Sequence, residues 1–220
     1  KNFHGHSYTP LTPAQLGIWQ HETQRQAGLT YLVQGEIQGR GKLHHSRLSD
    51  AWRRYLRIQP ALRMVIRTDA QGAPYQNPFL ESMIEKISIT YYDGSMTSIP
   101  EARHLEVKKI QSLNTGPLIH LAVVEYPHDK WCLLLSLHHI LADGWCTHII
   151  LNDVFSLYHR HAIGPLQFEI EEYRRWLQKQ ASKPWLDFWR HQLEGKASGL
   201  LNHALFNVHD LTAQSSIESL

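Results

Sequence analysis

Trp131-Cys132-Leu133-Leu134-Leu135-Ser136-Leu137-His138-His139-Ile140-Leu141-Ala142-Asp143-Gly144-Trp145 is the stretch whose reading decides the fold. The apolar-rich run from Trp131 to Leu137 has the length of a buried strand. It leads into two adjacent histidines, and an acid and a glycine follow after three residues. Ile149, Ile150, Val154, Leu157 and Tyr158 then recur at helical spacing. The pattern predicts a buried strand over 131–138, a turn, and a helix starting near Gly144. The strand carries an imidazole to its end. Imidazole is the side chain best suited to moving a proton near neutral pH, so chemistry is expected at this turn first.

Working outward, Leu118 to Tyr126 reads as a second apolar strand, joined to the first through Pro127-His128-Asp129-Lys130. Tyr31, Val33 and Ile37 approximate a period of two and predict a strand over 30–38. Leu43, Leu48, Trp52, Tyr55 and Leu56 predict a helix over 44–58, ended by Pro60. Leu62, Met64 and Ile66 alternate with Arg63, Val65 and Arg67 as a strand would. Residues 68–80, with Asp69, Gly72, Pro74 and Pro78, read as a connection. Ile87, Ile89 and Tyr91 mark a strand, and 100–113 a polar helix. Near the start, Thr12 is the expected N-cap of a helix with Pro13 in its first turn, and Leu16, Ile18 and Trp19 turned inward. Tyr173, Trp176, Leu177, Trp185, Phe188, Trp189 and Leu193 mark a helical region with a break at Pro184. Residues 199–220 lack periodicity. Helices and strands alternate irregularly around hairpins, so the class is α+β (mixed α/β), with helices packed on a largely antiparallel sheet.

Composition excludes several functions. The chain has 220 residues, 42% hydrophobic and 19% charged, which accommodates one large or two small domains. Its 22 Lys and Arg nearly balance 20 Asp and Glu, and no basic stripe points to nucleic acid. Cys132 and Cys146 are too few for a disulfide scaffold or a Cys-rich zinc site, and fit a reducing, cytoplasmic setting. No apolar run approaches a membrane span. The chain begins at Lys1 with no signal peptide after it, as expected of a piece of something longer.

Neighbouring strand residues point to opposite faces. His138 and His139 therefore cannot share one pocket, and they are badly placed to chelate one metal; no metal is expected. One imidazole should enter the packed side and the other a cleft. Catalysis and a satisfied core histidine are both open on chemistry alone. Asp143 has two roles to choose from: N-cap of the following helix, or partner of an arginine in a buried ion pair. Gly144 would permit a backbone conformation or a close approach that a side chain blocks.

His138-His139-Ile140-Leu141-Ala142-Asp143-Gly144 matches the His-His-x-x-x-Asp-Gly signature of the condensation domains of nonribosomal peptide synthetases. Further segments resemble that family in the same order. They are Leu11-Thr12-Pro13-Ala14-Gln15-Leu16-Gly17-Ile18-Trp19, then Ala61-Leu62-Arg63 with Met64-Val65-Ile66, then Tyr173 to Trp176 with Trp185 to Leu193. Where the family usually has Arg-His-Glu before its arginine, this chain has Ile58-Gln59-Pro60. The resemblance implies a chloramphenicol-acetyltransferase-like lobe. Condensation domains have two such lobes, with a tunnel between them. Residues 1–198 would be the N-terminal lobe, and 199–220 the crossover, a linker or the start of the second.

The activity implied is amide formation between a donor acyl or peptidyl thioester and an acceptor aminoacyl thioester. Both arrive on phosphopantetheine arms of carrier proteins, and no cofactor is bound by the domain itself. By resemblance His139 lies nearest the reacting amine, as general base or as positioning group. His138 would be structural, Asp143 would pair with Arg63, Gly144 would line the acceptor side, and Trp145 would be a core or tunnel-wall aromatic. The implied partners are donor and acceptor carrier proteins, the C-terminal lobe and an adenylation domain, with neither nucleic acid nor membrane. The lobe alone is expected to be inactive. The alternatives are a non-catalytic carrier-binding lobe or scaffold, and a stand-alone coenzyme-A-dependent acyltransferase. An epimerising relative shares the histidine motif, whereas a heterocyclising one would carry aspartates there.

Overall fold

The structure is a computed structural model that describes residues 9–24, 29–79, 81–164, 170–180 and 182–194. The expected linker over 199–220, and its boundary at 198, lie outside these. In chain order come β1 (Thr9–Pro10), α1 (Pro13–Gln24), β2 (Leu32–Arg40), α2 (His45–Ile58) and a 3-10 turn (Pro60–Arg63). They are followed by β3 (Met64–Thr68), β4 (Pro74–Pro78), a second 3-10 turn (Glu81–Lys86), β5 (Thr90–Asp93) and α3 (Ile99–Val107). The last elements are β6 (Ile119–Tyr126), β7 (Lys130–His138), α4 (Gly144–Tyr158), α5 (Ile170–Lys179) and α6 (Ser182–Leu193). Two compact units result, residues 1–174 and 175–220, and the histidine turn belongs to the first.

Two sheets organise the first unit. One has the order β2-β7-β6-β5; β2, β7 and β6 are antiparallel, and β5 runs parallel to β6. The other has the order β1-β4-β3 and is antiparallel. The continuous apolar run of β7 has a simple cause: both its faces are covered. Leu133, Leu135 and Leu137 enter a core with Leu48, Trp52, Tyr55 and Leu56 of α2 and Ile150, Leu151 and Val154 of α4. Cys132 and Leu134 face the other way, against Ala102 of α3 with Ala122 and Val124 of β6. A third cluster, Ile66, Ile110, Leu113, Leu118 and Ile140, packs with Ile18 and Trp19 of α1 and sits beneath the histidine turn. At the far end of β7, Gly39 leaves room for the Trp131 ring, which a side chain there would strike. The hairpin between β6 and β7 turns through His128 and Asp129, both left-handed at φ 63° and 54°.

Some expectations need correction. The stretch 68–80 is not only a connection, because β4 lies within it and pairs with β3. The helix expected to reach 113 stops at Val107, and the strand expected from Ile87 starts at Thr90. Leu16 is exposed, while Ile18 and Trp19 are half-buried. The break expected at Pro184 falls earlier, between Lys179 and Ser182, so Pro184 sits in the first turn of α6, where its missing amide costs nothing.

Candidate active site

His138 closes β7 opposite Leu32 of β2, fully buried, and its amide donates to the Leu118 carbonyl at 2.9 Å. His139 is exposed, and its amide donates to the Tyr31 carbonyl at 2.7 Å. The two imidazoles therefore part company as strand alternation requires. The Tyr31 ring stands edge-to-face with both the His139 ring and the His21 ring, at centroid distances of 6.5 Å and 5.2 Å.

The buried imidazole is fully used. Nδ1 of His138 accepts the Ile140 amide at 3.1 Å, and Nε2 lies 3.3 Å from Oε1 of Glu22. An Nδ1 that accepts leaves the proton on Nε2, which then donates to the carboxylate. Burial holds the imidazolium of His138 below its ordinary pKa, against the pull of Glu22, so the ring is neutral near pH 7.

Glu22 is buried within α1, and its Oε1 also accepts the amides of Thr30 and Tyr31, each at 2.8 Å, and the Thr30 hydroxyl at 3.1 Å. Burial alone would raise its pKa. The amides of Tyr31 and Thr30, the hydroxyl and His138 outweigh it and hold the carboxyl below its ordinary value. Gln15, one turn into α1, forms a capping box with Thr12: the Gln15 amide donates to the Thr12 hydroxyl at 3.3 Å, and the Thr12 amide to Oε1 of Gln15 at 3.0 Å. Nε2 of Gln15 then reaches the Ile140 carbonyl and Oε1 of Gln76, both at 3.1 Å.

The ion pair expected between Asp143 and Arg63 is not formed among the described residues. Asp143 is the exposed N-cap of α4, and its Oδ1 accepts the Cys146 amide at 2.9 Å. Hydrogen bonding from Cys146, with a smaller contribution from nearby His139, holds the carboxyl below its ordinary pKa. Arg63 is buried at the end of its 3-10 turn and donates to the Phe79 carbonyl at 3.1 Å, with Glu81 as the nearby acid. Each group thus has a local backbone partner instead of the other. A side chain at Gly144 would meet open space, and its φ is not left-handed, so nothing in this chain demands glycine there. Trp145 is 81% exposed and is not a core residue. Among the described residues no His, Cys, Asp and Glu side chains gather as metal ligands would, and no helix is long and apolar enough to cross a membrane. A cleft of about 690 Å³, lined by Trp19, Glu22, Leu29, Ile66 and Leu113 among others, reaches Glu22 but not His139.

Sequence reasoning singled out neither Glu22 nor the second role of Gln15. Glu22 did leave a signal: it lies three and four residues after Trp19 and Ile18, an acid on the apolar stripe of α1. Thr12-Pro13-Ala14-Gln15 spells the capping box, but nothing local in it announces a bond to Ile140.

With this geometry in hand, comparison with known proteins is informative. The family model of the condensation domain matches residues 6–218. The chain is 25% identical over 198 residues to Bacitracin synthase 1 of Bacillus licheniformis, which covers 86% of this chain and 4% of that protein. It is 26% identical over 195 residues to Surfactin synthase subunit 3 of Bacillus subtilis (strain 168), covering 84% of this chain and 15% of the relative. Among solved structures it is similar to the first condensation domain of the calcium-dependent antibiotic synthetase in complex with a substrate analogue. The TM-score is 0.71 at 18% identity, over 87% of this chain and 48% of the other. The starter condensation domain of rhizomide synthetase gives 0.69 at 18% identity, over 87% and 49%. The fold is therefore the chloramphenicol-acetyltransferase-like α+β arrangement of those domains. The chain spans about half the length of these solved chains and a far smaller share of the curated relatives.

Proposed function

Because the chain belongs to the condensation domain family, we propose that it is the histidine-bearing lobe of a nonribosomal peptide synthetase centre that joins two thioester-bound groups through an amide. The acceptor amine attacks the donor thioester carbonyl. A C–N bond forms, the C–S bond breaks, the donor arm leaves as a thiolate, and the amine gives up a proton that the thiolate takes in the end. His139 is the group beside that amine. The observation that carries this reading is the division of labour in the histidine pair. His138 is buried with both ring nitrogens engaged, whereas the exposed ring of His139 makes no hydrogen bond among the described residues. A free imidazole on a fixed backbone suits a group that must accept or hold a substrate proton.

In this reading Asp143 fixes the start of α4, Gly144 and exposed Trp145 line the acceptor side, and Arg63 ties the 3-10 turn to Phe79, just past the end of β4. The chain itself holds no cofactor. Phosphopantetheine arms of a donor and an acceptor carrier protein deliver the substrates, and a second lobe closes the tunnel next to an adenylation domain. The test is transfer between two loaded carrier proteins, followed by intact mass. Acyl mass moving from the donor to the aminoacyl acceptor, only when the intact protein is present, is the expected result. Binding of loaded carriers with no transfer would leave a carrier-binding scaffold in its place, and transfer to free coenzyme-A substrates alone would point to a stand-alone acyltransferase.

A further inference from the structure

We infer that Glu22 is a positioning residue for His139: its carboxylate keeps the His138 proton on Nε2, so that Nδ1 can hold the Ile140 amide and fix the turn on which His139 stands. This rests on the reading of His139 given above.

The argument begins with what each group can do. A neutral imidazole carries one proton, so one nitrogen donates and the other accepts. An ionised carboxylate accepts only. Glu22 therefore selects the tautomer with the proton on Nε2 and leaves Nδ1 as an acceptor, where the Ile140 amide finds it at 3.1 Å. With the proton on Nδ1 instead, two N–H groups would confront each other and the turn would lose that bond. Glu22 grips the turn from the opposite side as well. The same Oε1 accepts the Tyr31 amide at 2.8 Å, and the Tyr31 carbonyl accepts the His139 amide at 2.7 Å. Gln15 completes the clamp at the Ile140 carbonyl. Residues 138–140 are thus held at His138 by Leu118, at His139 by Tyr31, and at Ile140 through both its amide and its carbonyl. The His139 side chain makes no hydrogen bond among the described residues.

The placement of an acid here is informative in itself. Burying a carboxylate is costly, and a packing role alone is filled as well or better by an apolar side chain of similar size. An acceptor-only group that takes hydrogen bonds from Thr30, Tyr31 and His138 at once has no apolar substitute. Among the described residues, Glu22 is the ionisable side chain in hydrogen-bond contact with the His138 ring.

Ring-nitrogen NMR of the intact protein and single-turnover amide formation test the inference together. In the unmodified protein the His138 signals should show the proton on Nε2 and an accepting Nδ1. Glu22→Gln should move part of the population to the Nδ1–H tautomer, speed hydrogen exchange at the Ile140 amide and slow amide formation about 10–100-fold, the scale of a small misplacement. The double variant Glu22→Gln/His139→Ala should be no slower than His139→Ala alone, because Glu22 acts through His139. Additive losses, or an unchanged tautomer and rate in Glu22→Gln, would overturn the inference. A proton found on Nδ1 in the unmodified protein overturns it even if no variant folds. Full activity of His139→Ala would instead remove the functional reading on which the inference rests, and the tautomer measurement tells the two failures apart.

Discussion

Asp143 commits its carboxylate to the first turn of α4, and Arg63 commits its guanidinium to the Phe79 carbonyl. Removing the first should therefore cost what a lost N-cap costs, about 1 kcal/mol, rather than the ~3–5 kcal/mol of a broken buried pair. Asp143→Ala in urea denaturation should show the smaller loss, Asp143→Ser should restore most of it, and adding Arg63→Met should change stability additively, within about 0.5 kcal/mol. A strong coupling between the two positions would show that they interact after all. The buried pair beneath the turn sets a different expectation, for acid. Glu22 and His138 both have folded pKa values held below their ordinary 4.5 and 6.5. A group with a lowered folded pKa binds fewer protons when folded. Its stabilisation is complete above the unfolded value and is lost as pH falls through the folded one. For His138 that loss begins below about pH 6.5, and for Glu22 below about pH 4.5. Between about pH 7 and pH 5, the melting temperature of the unmodified protein should fall further than that of His138→Gln, which has no imidazole to protonate there. Equal falls would mean that His138 is readily protonated within the fold.

Among the described elements, β7 carries core side chains on both faces, as does its neighbour β6. Leu134→Ala and Leu135→Ala should each cost about 2–5 kcal/mol although they point in opposite directions, while exposed Gln38→Ala on β2 should stay within about 0.5 kcal/mol. A small loss at Leu134 would mean that the α3 side is loosely packed. The same burial explains why β7 was legible: a strand covered on both sides is written as an unbroken apolar run, and the turn and helix after it carry their own signals. The strand β4 was not legible, because Pro74, Gln76, Asn77 and Pro78 show neither alternation nor β-branched residues. The prolines sit at its first and last positions, where a missing amide is tolerated, and its centre is held by cross-strand bonds to β3. At the site, the opposed histidines followed from strand alternation alone. The absence of the Asp143–Arg63 pair and the presence of Glu22 did not, since both depend on which backbone groups long-range packing brings alongside each side chain.

At the scale of the whole molecule, the fold presents a rigid histidine turn at one end of a four-stranded sheet, on a chain about half as long as the solved condensation domains it resembles. If a second lobe supplies the other wall, the 220-residue chain by itself should transfer little or no acyl group between loaded carrier proteins, because positioning of both thioesters supplies much of the rate. Robust turnover by that chain would mean that it completes the tunnel without such a lobe. The central claim concerns His139, and the most direct measurement is single-turnover amide formation in the intact protein, with thermal melts run on the same samples. His139→Ala should lower the rate about 10²–10⁴-fold at an unchanged melting temperature if the imidazole is a general base, and by less if it only positions the amine. His138→Ala should lower the melting temperature, because it leaves a buried carboxylate and the Ile140 amide without their partner. A folded His139→Ala protein that forms the amide at the full rate would contradict the account.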